Sequence, residues 1–347
     1  MGKDTQGFDP DAAAPKGSGI FGLPHGVAES RVVLVPVPFD ATTSYGGGAC
    51  GGPATILGAS RQVDLYDPQV GKPYEQGICM LLDDHGIAAL SARARKVALP
   101  LLEQGGAGPA DAAAVAEVDA AGERVNRHVQ ATVARLLADD KVVGVVGGDH
   151  SVPFAAIAAL AARHPGLGIL HVDAHADLRH AFEGFAWSHA SIMDNVLRRV
   201  PDVRRIVQVG VRDLCAEELQ AITDSAGRVV THFDLDWQRR LARGASFASL
   251  CAEAVAALPR EVYVSFDIDG LDPALCPHTG TPVPGGLSFA AACLLLEALV
   301  ESGRRIVGFD LCEVAPGPDG EEWDGNVGAR LLYKLCGFAL LSRASAG

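Results

Sequence analysis

The chain has 347 residues, 48% of them apolar, and a formal net charge of −13. A chain of this size can bury a substantial core, and its acidic balance lacks the basic face that nucleic-acid binding requires. Eight scattered cysteines without a CxxC pair argue against a disulfide scaffold; with no signal core and no apolar run of membrane-spanning length, the expectation is a cytoplasmic protein with neither nucleic-acid nor membrane partner.

Residues 1–30 mix Gly, Pro, Asp and Lys and read as a flexible N-terminal arm; residues 31–347 read as a single α/β domain. The first strand is Arg31–Val37. A Gly-rich turn follows at Tyr45–Pro53 and leads into a helix over Leu57–Val63. Such a turn could cradle phosphate, but it lacks the Lys-Ser/Thr ending of a P-loop, so a tight turn at a substrate mouth is the preferred reading. Gln104–Asp111 reads as a surface loop before an amphipathic helix over Ala114–Asp139. Apolar strands then recur at Val142–Val146, Gly168–Val172, Arg205–Val209, Val229–Phe233, Val262–Phe266 and Arg304–Phe309. Helical stretches lie at Pro153–Arg163, Phe247–Leu258, Phe289–Ser302 and Val327–Leu341. Continuous apolar strands alternating with helices predict a mostly parallel sheet covered on both faces.

Three of these strands run directly into acidic, His-bearing motifs: Gly147–Ser151 (GGDHS), Asp173–Asp177 (DAHAD) and Ser265–Pro273 (SFDIDGLDP). Ligands bind at the carboxyl ends of strands in parallel α/β sheets, so the three motifs can converge. Residues two apart in extended backbone project to one side, which groups Asp173, His175 and Asp177, and likewise Asp267 and Asp269. With His150 the set holds two imidazoles and four carboxylates. That exceeds one tetrahedral ion and suits two metals sharing bridging carboxylates. No thiolate is present, which disfavours structural zinc, and imidazoles disfavour calcium and magnesium. Manganese suits the set; nickel, cobalt and iron stay open.

These motifs, together with Thr279–Gly286 (TGTPVPGG) and Gly308–Pro316 (GFDLCEVAP), resemble the signature set of the ureohydrolases, the arginase and agmatinase family. The resemblance runs from about Val32 to Cys336. It implies a three-layer α/β/α sandwich, two Mn(2+) or Ni(2+) ions per chain, and trimeric or hexameric homo-oligomers. It implies that one ion is held by His150, Asp173, Asp177 and Asp267, and the other by Asp173, His175, Asp267 and Asp269. Glu313 falls at the family's guanidinium-binding carboxylate, and His189 at its proton-shuttle histidine, although Ala190 stands where the family usually has Gly. Asp177 is implied to accept a hydrogen bond from the activated hydroxide and then help protonate the leaving nitrogen.

The implied reaction is hydrolysis of a C–N bond in a small cationic guanidino compound, releasing urea or a substituted urea and an amine. The usual contacts for an amino-acid head are not recognisable after Asp177. Phe182–Ser191 instead resembles the loop of plant arginase/agmatinase-like enzymes and of guanidine and biguanide hydrolases. Phe182, Phe185 and Trp187 either wall a small pocket or pack the loop. Asp213 matches a position near the substrate tail, or pairs with Arg212. Agmatine, guanidinoalkanoates, guanidine and alkylated (bi)guanides all fit. Competing readings are a subunit that needs a partner chain in a hetero-oligomer, a deacetylase-like amidohydrolase, which would carry a tandem His pair, and a binuclear phosphatase, which would want Asn and more His.

Overall fold

The computed structural model describes residues 8–82 and 85–344. Eight strands form one sheet: β1 (Val32–Val37), β2 (Ile78–Met80), β3 (Val142–Gly147), β4 (Leu167–Val172), β5 (Val203–Val209), β6 (Val229–His232), β7 (Glu261–Asp267) and β8 (Arg305–Cys312). Their spatial order is β2-β1-β3-β8-β7-β4-β5-β6, and every pairing is parallel.

The helices are α1 (Gly52–Ala59), α2 (Ile87–Glu103), α3 (Ala112–Ala138), α4 (Phe154–Arg163), α5 (Ile192–Arg199), α6 (Ala216–Asp224), α7 (Asp234–Ala242), α8 (Phe247–Ala256), α9 (Phe289–Glu301) and α10 (Trp323–Ala344). They form two layers, and alternation along each strand explains why both are needed. Val32 and Leu34 of β1 pack into one core with α1 and α7–α10, while Val33, Val35 and Val37 pack into the other with α2–α5. β7 divides the same way, with Val262, Val264 and Phe266 on the first side and Tyr263 on the second. A strand buried on both faces carries few polar positions, which is why these runs read as apolar blocks. The expected three-layer α/β/α sandwich is the observed fold.

Local departures have physical reasons. The helix expected at Leu57–Val63 begins earlier, at Gly52-Pro53, and ends at Ala59; Pro at the first turn loses no hydrogen bond and presets φ. β2 was not anticipated, because three residues at a sheet edge leave no period to read. α2 was also missed: its Ala-rich face is interrupted by Pro100 and three basic residues. The expected loose arm needs correction. Residues 1–7 lie outside the described residues, but Ile20, Phe21 and Leu23 are buried, and Phe21 meets Tyr333 edge-on at 4.8 Å. Three large apolar side chains within four residues are enough to tie that stretch to the α10 side of the sheet.

Candidate metal centre

The strand order places β3, β8, β7 and β4 side by side at the middle of the sheet. Their carboxyl ends deliver His150, Glu313, Asp267 with Asp269, and Asp173 with His175 and Asp177. Residues more than 160 positions apart in sequence become neighbours: the backbone N–H of His150 donates to Glu313 Oε1 at 2.9 Å.

His150 Nδ1 lies 3.0 Å from Asp173 Oδ2, 3.1 Å from Asp177 Oδ2 and 3.4 Å from Asp267 Oδ2. Its other nitrogen is committed. Ser265 Oγ donates to Asp310 Oδ2 at 2.9 Å, so that hydroxyl accepts from His150 Nε2, also at 2.9 Å. The proton on Nε2 leaves the Nδ1 lone pair facing three carboxylates, a geometry that calls for a cation. A second focus lies beside it: His175 Nδ1 is 3.1 Å from Asp269 Oδ2 and 3.4 Å from Asp173 Oδ1. Asp173 belongs to both foci.

Backbone amides fix the carboxylates. Asp269 N–H donates to Asp267 Oδ1, Ala174 N–H to Asp269 Oδ1, and His175 N–H to Asp173 Oδ1. Asp177 and Glu313 sit at φ 54° and 64°, a conformation rare for residues with a Cβ, of a kind that clusters at functional sites.

The electrostatics of the cluster fit bound cations. Burial, Asp269 and Asp173 push Asp267 well above the usual carboxylate range. Burial and Asp173 push Asp177 up to about 6. Burial opposes charge on His175, but Asp269 and Asp173 outweigh it and push that ring up to about 12. Carboxylates that want protons, imidazoles that want charge, and an Asp177 Oδ2 that accepts no hydrogen bond are the marks of a cavity built around positive ions. The donors present, imidazole nitrogen and carboxylate oxygen with no thiolate, fit a pair of divalent cations.

The surroundings place the other expected residues. Glu313 is 3% exposed, and its Oε2 accepts no hydrogen bond. The Thr279–Gly286 loop packs on it: Thr279 Oγ1 donates to its carbonyl at 2.9 Å, and a Cβ on Gly280 would come within 3.4 Å of Oε2. The Gly-rich turn reaches the same mouth. Gly46 N–H donates to Gly280 O at 2.9 Å, and Ser44 Oγ lies 3.4 Å from His189 Nε2. Burial and the nearby His175 hold His189 down to about 3, hence neutral. The Phe182 ring stands edge-on to His189 at 6.0 Å.

Two expectations need refinement. Trp187 packs on Phe154 at 5.0 Å, under the Arg199 guanidinium at 4.6 Å and against Gly122 of α3. Its ring is spent on helix packing and is not brought to the ligand cluster. Asp213 is exposed beside His175, its N–H bound to Ala174 O. It makes no ion pair with Arg212, whose guanidinium instead donates to the carbonyls of Gly210, Asp269, Leu271 and Val283. Residues overlooked from sequence are His171, Ser265 and Asp310. His171 and Ser265 lie on strands two residues before Asp173 and Asp267, and that spacing was the available signal; Asp310, on β8 three residues before Glu313, offered none.

A sequence profile described as the arginase family matches residues 30–337. The chain belongs to the arginase family. It is therefore a hydrolase of C–N bonds in linear amidines, from a family that works with two metal ions. Among its relatives, the N(1)-aminopropylagmatine ureohydrolase of Synechocystis is 29% identical over 90% of both chains. That of Thermus thermophilus is 32% identical over 89% of this chain and 90% of its own. The crystal structure of agmatine ureohydrolase of Thermoplasma volcanium superposes with a TM-score of 0.70 at 25% identity, covering 92% and 93% of the two chains. Among the described residues, no helix is long and apolar enough to cross a membrane.

Proposed function

We propose that this ureohydrolase splits a small guanidino compound that carries no amino-acid head, releasing urea or a substituted urea and an amine. Candidates are agmatine, an N-substituted agmatine, a guanidinoalkanoate, guanidine and an alkylated (bi)guanide. The observation that carries the reading is Glu313: a buried carboxylate with one oxygen anchored and the other unpartnered, next to the two-ion cradle. A planar guanidinium is the cation such a group best pairs with.

The first ion would be held by His150, Asp173, Asp177 and Asp267, and the second by Asp173, His175, Asp267 and Asp269. When bound, two divalent ions supply the Lewis acidity that makes water nucleophilic near neutral pH. Glu313 grips the guanidinium and turns its central carbon toward the cluster. Asp177 takes the proton of the attacking water and returns it to the leaving nitrogen. His189, neutral and beside the Ser44 hydroxyl, shuttles a second proton from solvent to the departing amine. Phe182 shields the site from bulk water, and Asp213 meets the far end of the substrate. Eight free cysteines suit a reducing cytoplasm, and a homotrimer or hexamer is the assembly proposed.

The test is metal-free protein reloaded separately with manganese and with nickel, assayed for urea and amine release. The panel holds arginine, agmatine, N(1)-aminopropylagmatine, 4-guanidinobutyrate, guanidine, dimethylguanidine and a biguanide. Metal-dependent turnover of a headless compound with arginine inert is the expected result. Preference for arginine, or no C–N cleavage of any compound with two ions bound, would overturn it.

A further inference from the structure

One layer beneath the ligands, five polar side chains occupy a single rung of the sheet. Asp310 of β8 pairs in register with Ser265 of β7, Ser265 with His171 of β4, His171 with Gln208 of β5, and Gln208 with Thr231 of β6. Parallel strands in register point equivalent residues to the same face, so the row lies on one side of the sheet, with the acidic cluster above it and the apolar rung of Ile169, Tyr263 and Ile206 below. His171, Gln208, Ser265 and Asp310 are wholly buried. Four polar side chains buried at this depth are costly unless each is bonded.

The bonds of the outer half assign every proton. Gln208 Nε2 donates to the Ala176 carbonyl at 2.7 Å; a carbonyl only accepts, so the atom facing it must be the amide nitrogen. Thr231 Oγ1 donates to Gln208 Oε1 at 2.7 Å, which pins the amide from its other side. The same Gln208 Nε2 donates to His171 Nδ1 at 3.0 Å. His171 Nδ1 is therefore an acceptor and its proton sits on Nε2, which donates to Asp173 Oδ2 at 2.8 Å. Asp173 is the carboxylate common to both cation foci.

His171 is near enough to the cluster to be taken for a metal ligand, since its ring nitrogen groups with His150, Asp173 and Asp177. The bonding argues otherwise. Coordination would need a bare nitrogen, and neither is bare: Nδ1 receives the Gln208 amide, and Nε2 carries the proton held by Asp173. We infer that His171 is a positioning residue: the Thr231–Gln208–His171 row locks it as the Nε2–H tautomer so that it aims Asp173 between the two ions. This rests on the two-metal reading above. The row is the counterpart of the Asp310–Ser265 pair, which aligns His150 in the same way on the neighbouring strands. The two imidazoles lie 5.2 Å apart, one as ligand and one as support.

The experiment is manganese titration of the metal-free protein by calorimetry, with bound metal counted by elemental analysis. The metal-free melting temperature of each variant is measured alongside. Leu at 171 removes the N–H; Gln at 171 carries an amide N–H about where Nε2–H sits. His171→Leu should bind manganese about 10–100-fold more weakly, and His171→Gln should recover to within a few-fold of wild type. Thr231→Val, which touches neither ion nor ligand, should weaken binding a few-fold with its metal-free melting temperature held, and serves if His171→Leu fails to fold. Unchanged affinity in His171→Leu, or in Thr231→Val where only that variant folds, overturns the inference. So does a His171→Gln variant as weak as His171→Leu, which would make the ring a ligand. Wild-type protein that takes up no manganese sinks the two-metal reading, and this inference with it.

Discussion

Replacing Glu313 by Gln separates substrate binding from folding. Glu313 Oε1 accepts the His150 N–H at 2.9 Å, and an amide oxygen in the same place keeps that bond. Oε2 accepts nothing, and burial with Asp149 nearby holds the carboxyl well above its ordinary range. Removing the charge therefore relieves a buried anion in the substrate-free protein, and the metal-free melting temperature should hold or rise. With substrate present the balance reverses. Truncating one side of a buried, hydrogen-bonded charge pair costs about 2–5 kcal/mol, which corresponds to a fall in kcat/KM of roughly 30- to several-thousand-fold. The assay is urea release under second-order conditions, beside calorimetric melting and a metal count. A kcat/KM within threefold of wild type would refute the guanidinium-anchor argument. Metal loss in step with activity would assign Glu313 to the ion cradle.

Asp269→Ala removes a carboxylate whose Oδ2 lies 3.1 Å from His175 Nδ1; bound metal should fall from two ions per chain toward one and turnover should collapse, and full turnover on a single ion would break the two-ion scheme. His189 is held down to about 3 when folded against about 6.5 when unfolded. Between those values the unfolded chain binds the extra proton, so metal-free stability falls with acidification below about pH 6.5, by about 1.4 kcal/mol per pH unit more than in His189→Asn; parallel urea-denaturation curves for the two proteins would contradict this. Gly122→Ala sets a methyl 2.7 Å from Trp187 Cβ. Helix propensity favours Ala by about 1 kcal/mol, but overpacking a wedged ring costs about 1–3 kcal/mol. A lower melting temperature with KM unmoved is expected, and a KM shift would return Trp187 to the substrate pocket.

The acidic, His-bearing cluster was legible because its motifs are local. Asp173, His175 and Asp177 declare themselves by spacing alone, and each motif follows a strand that its apolar run makes plain. Pairwise reach was not legible. Nothing in the sequence says that Gln208 stands beside His171, because adjacency across strands depends on register, and register depends on the whole sheet. Trp187 shows the opposite failure. A loop aromatic between two site motifs suggests a pocket wall, yet Gly122, far upstream on α3, opens a slot that takes the ring into the helical layer. α5, α6 and α7 were unread because each is short, at eight or nine residues, and mostly polar in composition, so none stands out as an apolar stretch.

The order of strands, more than any one motif, makes the centre. β4 follows β3 in the chain, but β8 and β7 lie between them in the sheet. That insertion brings four carboxyl ends together and lets a late residue, Glu313, face an early one, His150. It also sets the rung beneath: with β7 and β4 paired in register, Ser265 and His171 fall side by side, one supporting His150 and the other Asp173. A one-residue slip of β4 against β7 would turn His171 toward the opposite helical layer and leave Asp173 without its donor. The apolar alternation that buries both faces of β4 and β7 therefore fixes the geometry of the candidate cluster as well as the fold. Substitutions that disturb that register should lose metal even where every ligand is retained.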